Sequence, residues 1–409
     1  MIKIALMGHG VVGSGVAEIL EEKKQSLAQK AGDALYCAKI LDLREFPDTP
    51  YADRFTKDFN DIAEDESIQI VVEAMGGLHP AYEFVKACLE KGKNVVTSNK
   101  ELVAEKGAEL LAVAKAKNVN FFFEASVGGG IPIIRPMHLC LAANRIDEIY
   151  GILNGTTNFI LTKMIQEQMT FDAALSLAQQ LGYAEKNPAA DIDGIDACRK
   201  ICILASLAFG RHVYPQEVYT EGISNITLED VAYARNGGYV VKLIGQAKRL
   251  PDGKSQVMVS PALVPVENQL SRVDDVFNSV LIKGDETGEV MFYGKGAGKL
   301  PTASAVVADV VHIAKSPSTS QSLIWEDSAA DTVADASAYR NAFYYRLQGP
   351  ISKEQIEALW GTVTVLSRQG QPTGEVAFLT GVMPESQAES AEKKLAGKAE
   401  LLGKIRLLG

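Results

Sequence analysis

Residues 2–13 read IKIALMGHGVVG, and this stretch decides the fold. The apolar run Ile2 to Met7 suits a strand buried on both faces, as in a parallel sheet. Gly8, Gly10 and Gly13 follow it in G-x-G-x-x-G spacing, and Val12, Val16, Ile19, Leu20 and Leu27 continue at helical intervals up to about Lys30. Strand, glycine turn and helix in that order let the backbone approach a pyrophosphate, with the helix N-terminus facing its charge. The cradle comprises Gly8, Gly10, Val11, Val12 and Gly13. A ligand-free glycine turn is the competing reading, and position at the head of a wound sheet favours the dinucleotide.

Further strand patterns, LYCAKILD, IQIVVEAM, NVVT and VNFFFEA, alternate with helices near 80–90 and 101–117. Alternation of this kind predicts an α/β fold with a Rossmann-type doubly wound parallel sheet. Asp42, at the tip of the second strand, is placed to meet the adenosine ribose hydroxyls; Arg44 and Lys57 are placed to meet a 2′-phosphate, so both NAD and NADP fit.

Ligands bind outside the carboxyl ends of such strands. The ends here are EAMGG (73–77), TSNKE (97–101) and EASVGGG (124–130). Ser98 and Lys100 lie in the second, and a cation at a helix start opposes the helix dipole unless a ligand compensates. Glycines 128–130 either expose carbonyls to a cation or form a hinge.

The 409 residues are enough for two or three domains. A net charge of −10 argues against non-specific nucleic-acid or membrane binding. No apolar span or signal pattern is evident, so a cytoplasmic protein is expected. The five cysteines (37, 88, 140, 198, 202) lack C-x-x-C spacing and read as reduced core residues. The five histidines show no zinc spacing.

Past about Ile131 the strand-helix alternation fades. An α+β region follows: a strand near 146–154, helices at 156–168, 171–181 and 195–209, and strands in SQVMVSPALVPV and GEVMFYG. Thr170 and Gly182 bracket the second helix. The helix pattern at 302–314 is expected to fold back onto the first domain. Residues 315–338 read as a linker, and 339–409 as a small α+β unit closing on an Ala/Lys/Glu helix.

EKNPAADIDGIDACRK (185–200) places Glu185, Asp191, Asp193 and Asp196 before an apolar helix. Asp193 reads as its N-cap, and Asp196 and Lys200 share a face four residues apart. A surface ion pair is the bland reading. Against it, Lys200 sits among Cys198, Ile201, Cys202 and Ile203, where desolvation disfavours its charged form and suits it to pass protons near neutrality. Carboxylates beside such a lysine fit a small amino alcohol, and a hydride-accepting cofactor completes a dehydrogenase.

Together these motifs resemble the homoserine dehydrogenase family over positions 1 to about 315: GHGVVG, EAMGG, NVVTSNKELVA, EASVGGGIPII, GILNGTTNFIL, GYAE, DIDGIDACRK and MFYGKGAGKLPTASAVVADVV occur in order. The resemblance implies NAD(P)-dependent interconversion of L-homoserine and L-aspartate 4-semialdehyde in threonine and methionine biosynthesis. It implies that Lys200 transfers the proton, that Lys100 lies between cofactor and substrate, and that Glu185, Asp191 and Asp196 handle the substrate amino group and hydroxyl. It also implies that Glu124, Val127, Gly129 and Ile131 hold a monovalent cation, sodium or potassium, mostly through carbonyls. The implied organisation is an NAD(P)-binding domain at 1–133 completed by 302–314, a substrate-binding and dimerisation domain at 134–301, a linker at 315–338, and an ACT-like module at 339–409.

Leu41-Asp42 stands where many relatives carry Arg-Asp, which points away from strict NADP use. LQGPISKEQIEALW (347–360) carries only part of the ACT signature, which points to building a homodimer or homotetramer rather than to binding threonine. Two rivals are a dehydrogenase of another amino acid and a non-catalytic dinucleotide sensor. The sensor would need a basic DNA-binding segment, which the sequence lacks.

Overall fold

The computed structural model describes residues 1–315, 323, 325–328, 332–395 and 397–409. Two compact units divide the chain: one comprises 1–146, 202–216 and 283–330, the other 147–201, 217–282 and 331–409. Much of the expected linker, at 316–322, 324 and 329–331, lies outside the described residues.

The first unit holds a parallel sheet of β1 (Ile2–Met7), β2 (Leu35–Leu41), β3 (Phe55–Thr56), β4 (Ile68–Glu73), β5 (Asn94–Thr97) and β6 (Phe121–Phe122), in the order β3-β2-β1-β4-β5-β6. Strand direction of winding reverses between β1 and β4, which opens a crevice at their carboxyl ends. Ile4, Leu6, Val71, Val72, Val95 and Val96 are fully buried, because helices cover both faces. The helical stretch after the glycine turn is two helices, Val11–Glu22 and Lys24–Ala31, broken at Lys23. Helix Lys299–Ala314 packs on the first of these, and Gly15 lets it approach: a Cβ there would stand 3.0 Å from that of Ala303.

VNFFFEA forms a strand only at Phe121–Phe122. The chain then turns, with Ser126 bonding through N and Oγ to the Phe123 carbonyl, into a short helix Ala125–Gly128. Residues 325–328 lie along the Gly210–Tyr214 segment. Glu326 N donates to the Gly210 carbonyl and His212 N to that of Glu326. Trp325 Nε1 donates to His212 Nδ1 at 2.9 Å, so the imidazole donates from Nε2 to the Ala104 carbonyl. Gly107 leaves room for the indole, 2.7 Å from where a Cβ would be. Cys37, Cys88, Cys198 and Cys202 are buried, but Cys140 is exposed at the end of a π-helical turn, Pro136–Cys140, so it is not a core residue.

The second unit is built on a mixed sheet whose strands run, in spatial order, Phe277–Gly284, Ile146–Ile152, Tyr239–Arg249, Ser255–Pro265, Glu400–Leu407, Phe343–Gln348, Glu375–Thr380 and Val363–Leu366. Helices Gly155–Glu167, Phe171–Gln180, Leu228–Asn236, Lys353–Trp360 and Glu385–Leu395 belong to it. Thr170 caps the second helix through Ala173 N, and Gly182 follows at φ +75°. The Ala/Lys/Glu helix is not the end of the fold: the chain continues as strand Glu400–Leu407, pairing parallel with Ala262–Leu263 and antiparallel with Phe343–Gln348. Apart from the two-residue strand Met383–Pro384, which pairs with Arg340–Asn341, residues 343–407 follow a βαββαβ order over a core of Phe343, Tyr345, Trp360 and Phe378. Buried Arg346 joins Asp230 at 2.9 Å to Glu375 at 3.3 Å, and Tyr233 hydroxyl donates to Glu375.

Candidate active site

Sterics within the chain explain two of the three glycines of the first turn. Gly8 has φ +95°, and a Cβ on Gly13 would lie 1.9 Å from the Gly8 carbonyl oxygen. A Cβ on Gly10 would meet nothing within 4 Å, so open space fronts the turn. No side chain caps helix Val11–Glu22, whose first amides therefore lack a partner of that kind. Open space and uncapped amides fit a pyrophosphate.

Asp42 reaches this turn: its Oδ2 accepts from His9 N at 2.7 Å, while Oδ1 accepts from Arg44 N and Nε at 3.0 and 2.9 Å. The Arg44 guanidinium holds the Asp42 carboxyl well below the usual carboxylate range, against its partial burial. Arg44 is exposed, over the Phe46 ring. Lys57 pairs with Glu45 at 2.9 Å. Ser98 and Lys100 are half-buried at the β5 tip, and Asn99 caps helix Lys100–Lys117 by accepting from Leu102 N.

In the glycine run, the Glu124 carboxylate accepts from three backbone amides: Ile133 N and Ile134 N at 2.6 and 2.8 Å on Oε1, and Arg135 N at 2.8 Å on Oε2. Val127, Gly129 and Ile131 are buried. Gly129 has φ +56°, and a Cβ there would lie 2.3 Å from the Gly296 carbonyl oxygen. Among the described residues no side-chain cluster of His, Cys, Asp and Glu suits a metal.

Asp309, on helix Lys299–Ala314, accepts from Glu124 N at 2.9 Å and from the Arg135 guanidinium. Burial pushes the Asp309 carboxyl up to about 7 despite Arg135. The native state therefore keeps a proton that the unfolded chain releases near pH 4, so this contribution to stability is present at low pH and is lost as pH rises towards 7, by about 1.4 kcal/mol per unit. The melting temperature of Asp309→Asn, permanently neutral, should fall less steeply between pH 5 and 8 than that of the wild type. Parallel slopes would remove Asp309 as the source.

The second unit assembles the acidic stretch around Lys200. Lys200 is buried, 7% exposed; its Nζ donates to Asp196 Oδ2 at 2.8 Å and to the Leu153 carbonyl at 2.7 Å. Two of three N–H directions are thus fixed, which sets the third. Asn154, absent from the sequence reading, completes the cluster: its Nδ2 donates to Asp191 Oδ1 at 2.7 Å and to Asp196 Oδ2 at 2.9 Å. Asn154 Oδ1 caps helix Gly155–Glu167 through Thr157 N at 2.8 Å. One amide therefore brings together two carboxylates that would repel each other.

Glu185 is exposed on the preceding loop, its backbone carbonyl accepting from Gln179 Nε2. Asp193 does not cap the helix. Helix Ile195–Phe209 spans the expected residues, and the position directly before it is Gly194, which has φ +82° and whose carbonyl accepts from Cys198 N.

A family model described as homoserine dehydrogenase matches residues 132–311, and one described as homoserine dehydrogenase, NAD binding domain, matches 8–124. A homoserine dehydrogenase of Bacillus subtilis is 43% identical over 319 residues, 77% of this chain and 73% of that protein. One of Pseudomonas aeruginosa is 40% identical over 378 residues, 90% of this chain and 86% of that protein. The crystal structure of a homoserine dehydrogenase from Thiobacillus denitrificans matches at a TM-score of 0.86 and 37% identity, covering 100% of this chain and 98% of that one. A hyperthermophilic archaeal homoserine dehydrogenase in complex with NADPH matches at 0.66 and 31% identity, covering 76% of this chain and 96% of that one.

Proposed function

The chain belongs to the homoserine dehydrogenase family and is an NAD(P)-dependent oxidoreductase, and on that premise we propose that Lys200 is the group that exchanges the proton of the substrate oxygen. NAD(P), when bound, supplies or accepts the hydride at the reacting carbon. In the reducing direction the Lys200 ammonium gives a proton to the aldehyde oxygen of L-aspartate 4-semialdehyde; in the oxidising direction the neutral amine takes it from the hydroxyl of L-homoserine. Asp196 and the Leu153 carbonyl orient the amine. Asp191 and Asp196, held by Asn154, receive the substrate ammonium, and Glu185 on the exposed loop completes that binding. The shared Lys200, Asn154, Asp196 and Asp191 network carries this reading.

Lys100, at the head of its helix, contacts both cofactor and substrate. The glycine turn with Ser98 receives the dinucleotide. Asp42 faces the ribose hydroxyls, and Arg44, exposed beside it, meets a 2′-phosphate when NADP binds, so both cofactors are used. The carbonyls of Glu124, Val127, Gly129 and Ile131 hold sodium or potassium. The βαββαβ order of 343–407 supports an ACT-like module that builds a homodimer or homotetramer. No helix among the described residues is long and apolar enough to cross a membrane; we place the enzyme in the cytoplasm, in threonine and methionine biosynthesis.

The absorbance of reduced nicotinamide, followed with L-homoserine and with 4-hydroxybutyrate, which lacks the amino group, tests the substrate reading. Turnover is expected with homoserine at saturations where 4-hydroxybutyrate gives under about 1% of the rate, since the paired carboxylates would lack their cation. Equal rates would overturn the role of Asp191 and Asp196.

A further inference from the structure

The carboxyl ends of β4 and β5 contain a buried acid that the reaction above does not use. Glu73 is fully buried. Its Oε1 accepts from Met75 N at 2.7 Å and Gly76 N at 3.2 Å, and its Oε2 from Thr97 Oγ1 at 2.5 Å. Thr97 Oγ1 accepts in turn from Asn99 N at 2.9 Å, and Asn99 Nδ2 donates to the Gly77 carbonyl at 2.6 Å. The bonds close a ring through Glu73, the 75–77 loop, Asn99 and Thr97.

These donors are neutral, so burial raises the carboxyl's tendency to hold a proton while the hydrogen bonds oppose it. Ending a strand does not require that cost; a hydroxyl or amide would serve. The location supplies a reason. Ala74 N donates to the Met7 carbonyl, and a Cβ on Gly8 would lie 2.8 Å from the Ala74 carbonyl oxygen and 2.9 Å from Met75 Cα. The loop held by Glu73 is therefore the wall across the switch point from the glycine turn. Gly76 and Gly77, at φ +78° and +72°, are exposed, and a Cβ on either would meet nothing within 4 Å. The other side of the ring ends at Asn99, the cap of the helix beginning at Lys100.

We propose that Glu73 is a positioning residue for the cofactor: through the 75–77 loop it shapes one wall of the dinucleotide crevice, and through Thr97 and Asn99 it sets the helix start that presents Lys100. The proposal rests on the assignments of the glycine turn and of Lys100 given above. The two arms separate experimentally. Glu73→Ala releases both, Glu73→Gln keeps an acceptor for Met75 and Gly76, and Thr97→Val removes the bond to Glu73 Oε2 together with that from Asn99 N while leaving the bonds from Met75 and Gly76 to Oε1 in place.

Dissociation constants for NADPH and NADH, read from the fluorescence of the bound reduced nicotinamide, are measured with kcat and KM on the full chain, alongside Lys100→Met. Glu73→Ala should weaken cofactor binding about tenfold or more, Glu73→Gln should recover most of that loss, and Thr97→Val should lower kcat about tenfold with cofactor affinity within about threefold of wild type. Lower melting temperatures with unchanged dissociation constants and kcat would overturn the proposal. If Glu73→Ala does not fold, wild-type affinity in Glu73→Gln together with wild-type kcat in Thr97→Val would overturn it. Full turnover by Lys100→Met would remove the role of Lys100 and the helix arm, and leave the crevice arm to be judged by the Glu73→Ala dissociation constant.

Discussion

Lys200→Arg should fold, bind NAD(P)H as the wild type does, and turn over homoserine roughly 10²–10⁴-fold more slowly. The guanidinium can still pair with buried Asp196, but it does not give up its proton in a protein. Lys200→Ala is a blunter test, because it leaves Asp196, 3% exposed, without the cation 2.8 Å away; losing one partner of a buried pair costs about 3–5 kcal/mol. Slow turnover in the alanine variant alone would confuse chemistry with unfolding. The arginine variant separates them: turnover within tenfold of wild type would end the claim that Lys200 moves the proton.

Gly13→Ala and Gly10→Ala should fail in different ways. A methyl at Gly13 would sit 1.9 Å from the Gly8 carbonyl oxygen, so the turn itself must shift, at about 1–3 kcal/mol of stability, and cofactor affinity should fall about 100-fold because the cradle is displaced. At Gly10 the methyl enters open space. There the melting temperature should stay within a degree or two, while affinity falls about tenfold because the methyl occupies volume reserved for the pyrophosphate. Thermal melts and nicotinamide fluorescence titrations distinguish the two. Wild-type affinity in Gly10→Ala would move the pyrophosphate away from this turn.

The difference between what the sequence reveals and what it hides follows the range of the interactions. The glycine turn is legible because strand, turn and helix lie within twenty residues and each has its own local signal. Asp196 and Lys200 are legible because four residues on a helix fix their approach. Asn154 carries a local signal too, an Asn directly before a helix, and cap position is readable from that. Its second task is not: the bonds to Asp191 and Asp196 span 37 and 42 residues, and no pattern in LNGTTN encodes them. Likewise Glu124 reads as part of a cation loop, but only tertiary structure shows its carboxylate bound to the amides of 133–135. The last strand was hidden by composition. ELLGKIRL follows a helix rich in Ala, Lys and Glu and contains Gly403, where a Cβ would stand 2.8 Å from Asp230 Oδ1, so its glycine signals close packing rather than a chain break.

The Trp325 indole that rests on Gly107 and His212 has a photophysical consequence. The chain has two tryptophans, and they fall one in each compact unit, Trp325 in the first and Trp360 in the second. Trp325 Nε1 is bonded to the His212 ring, whereas Trp360 is packed with Tyr345 and Phe378. Intrinsic emission therefore serves as a gauge of each unit separately: Trp325→Phe and Trp360→Phe chains each report the melting of one unit from within, with no label attached.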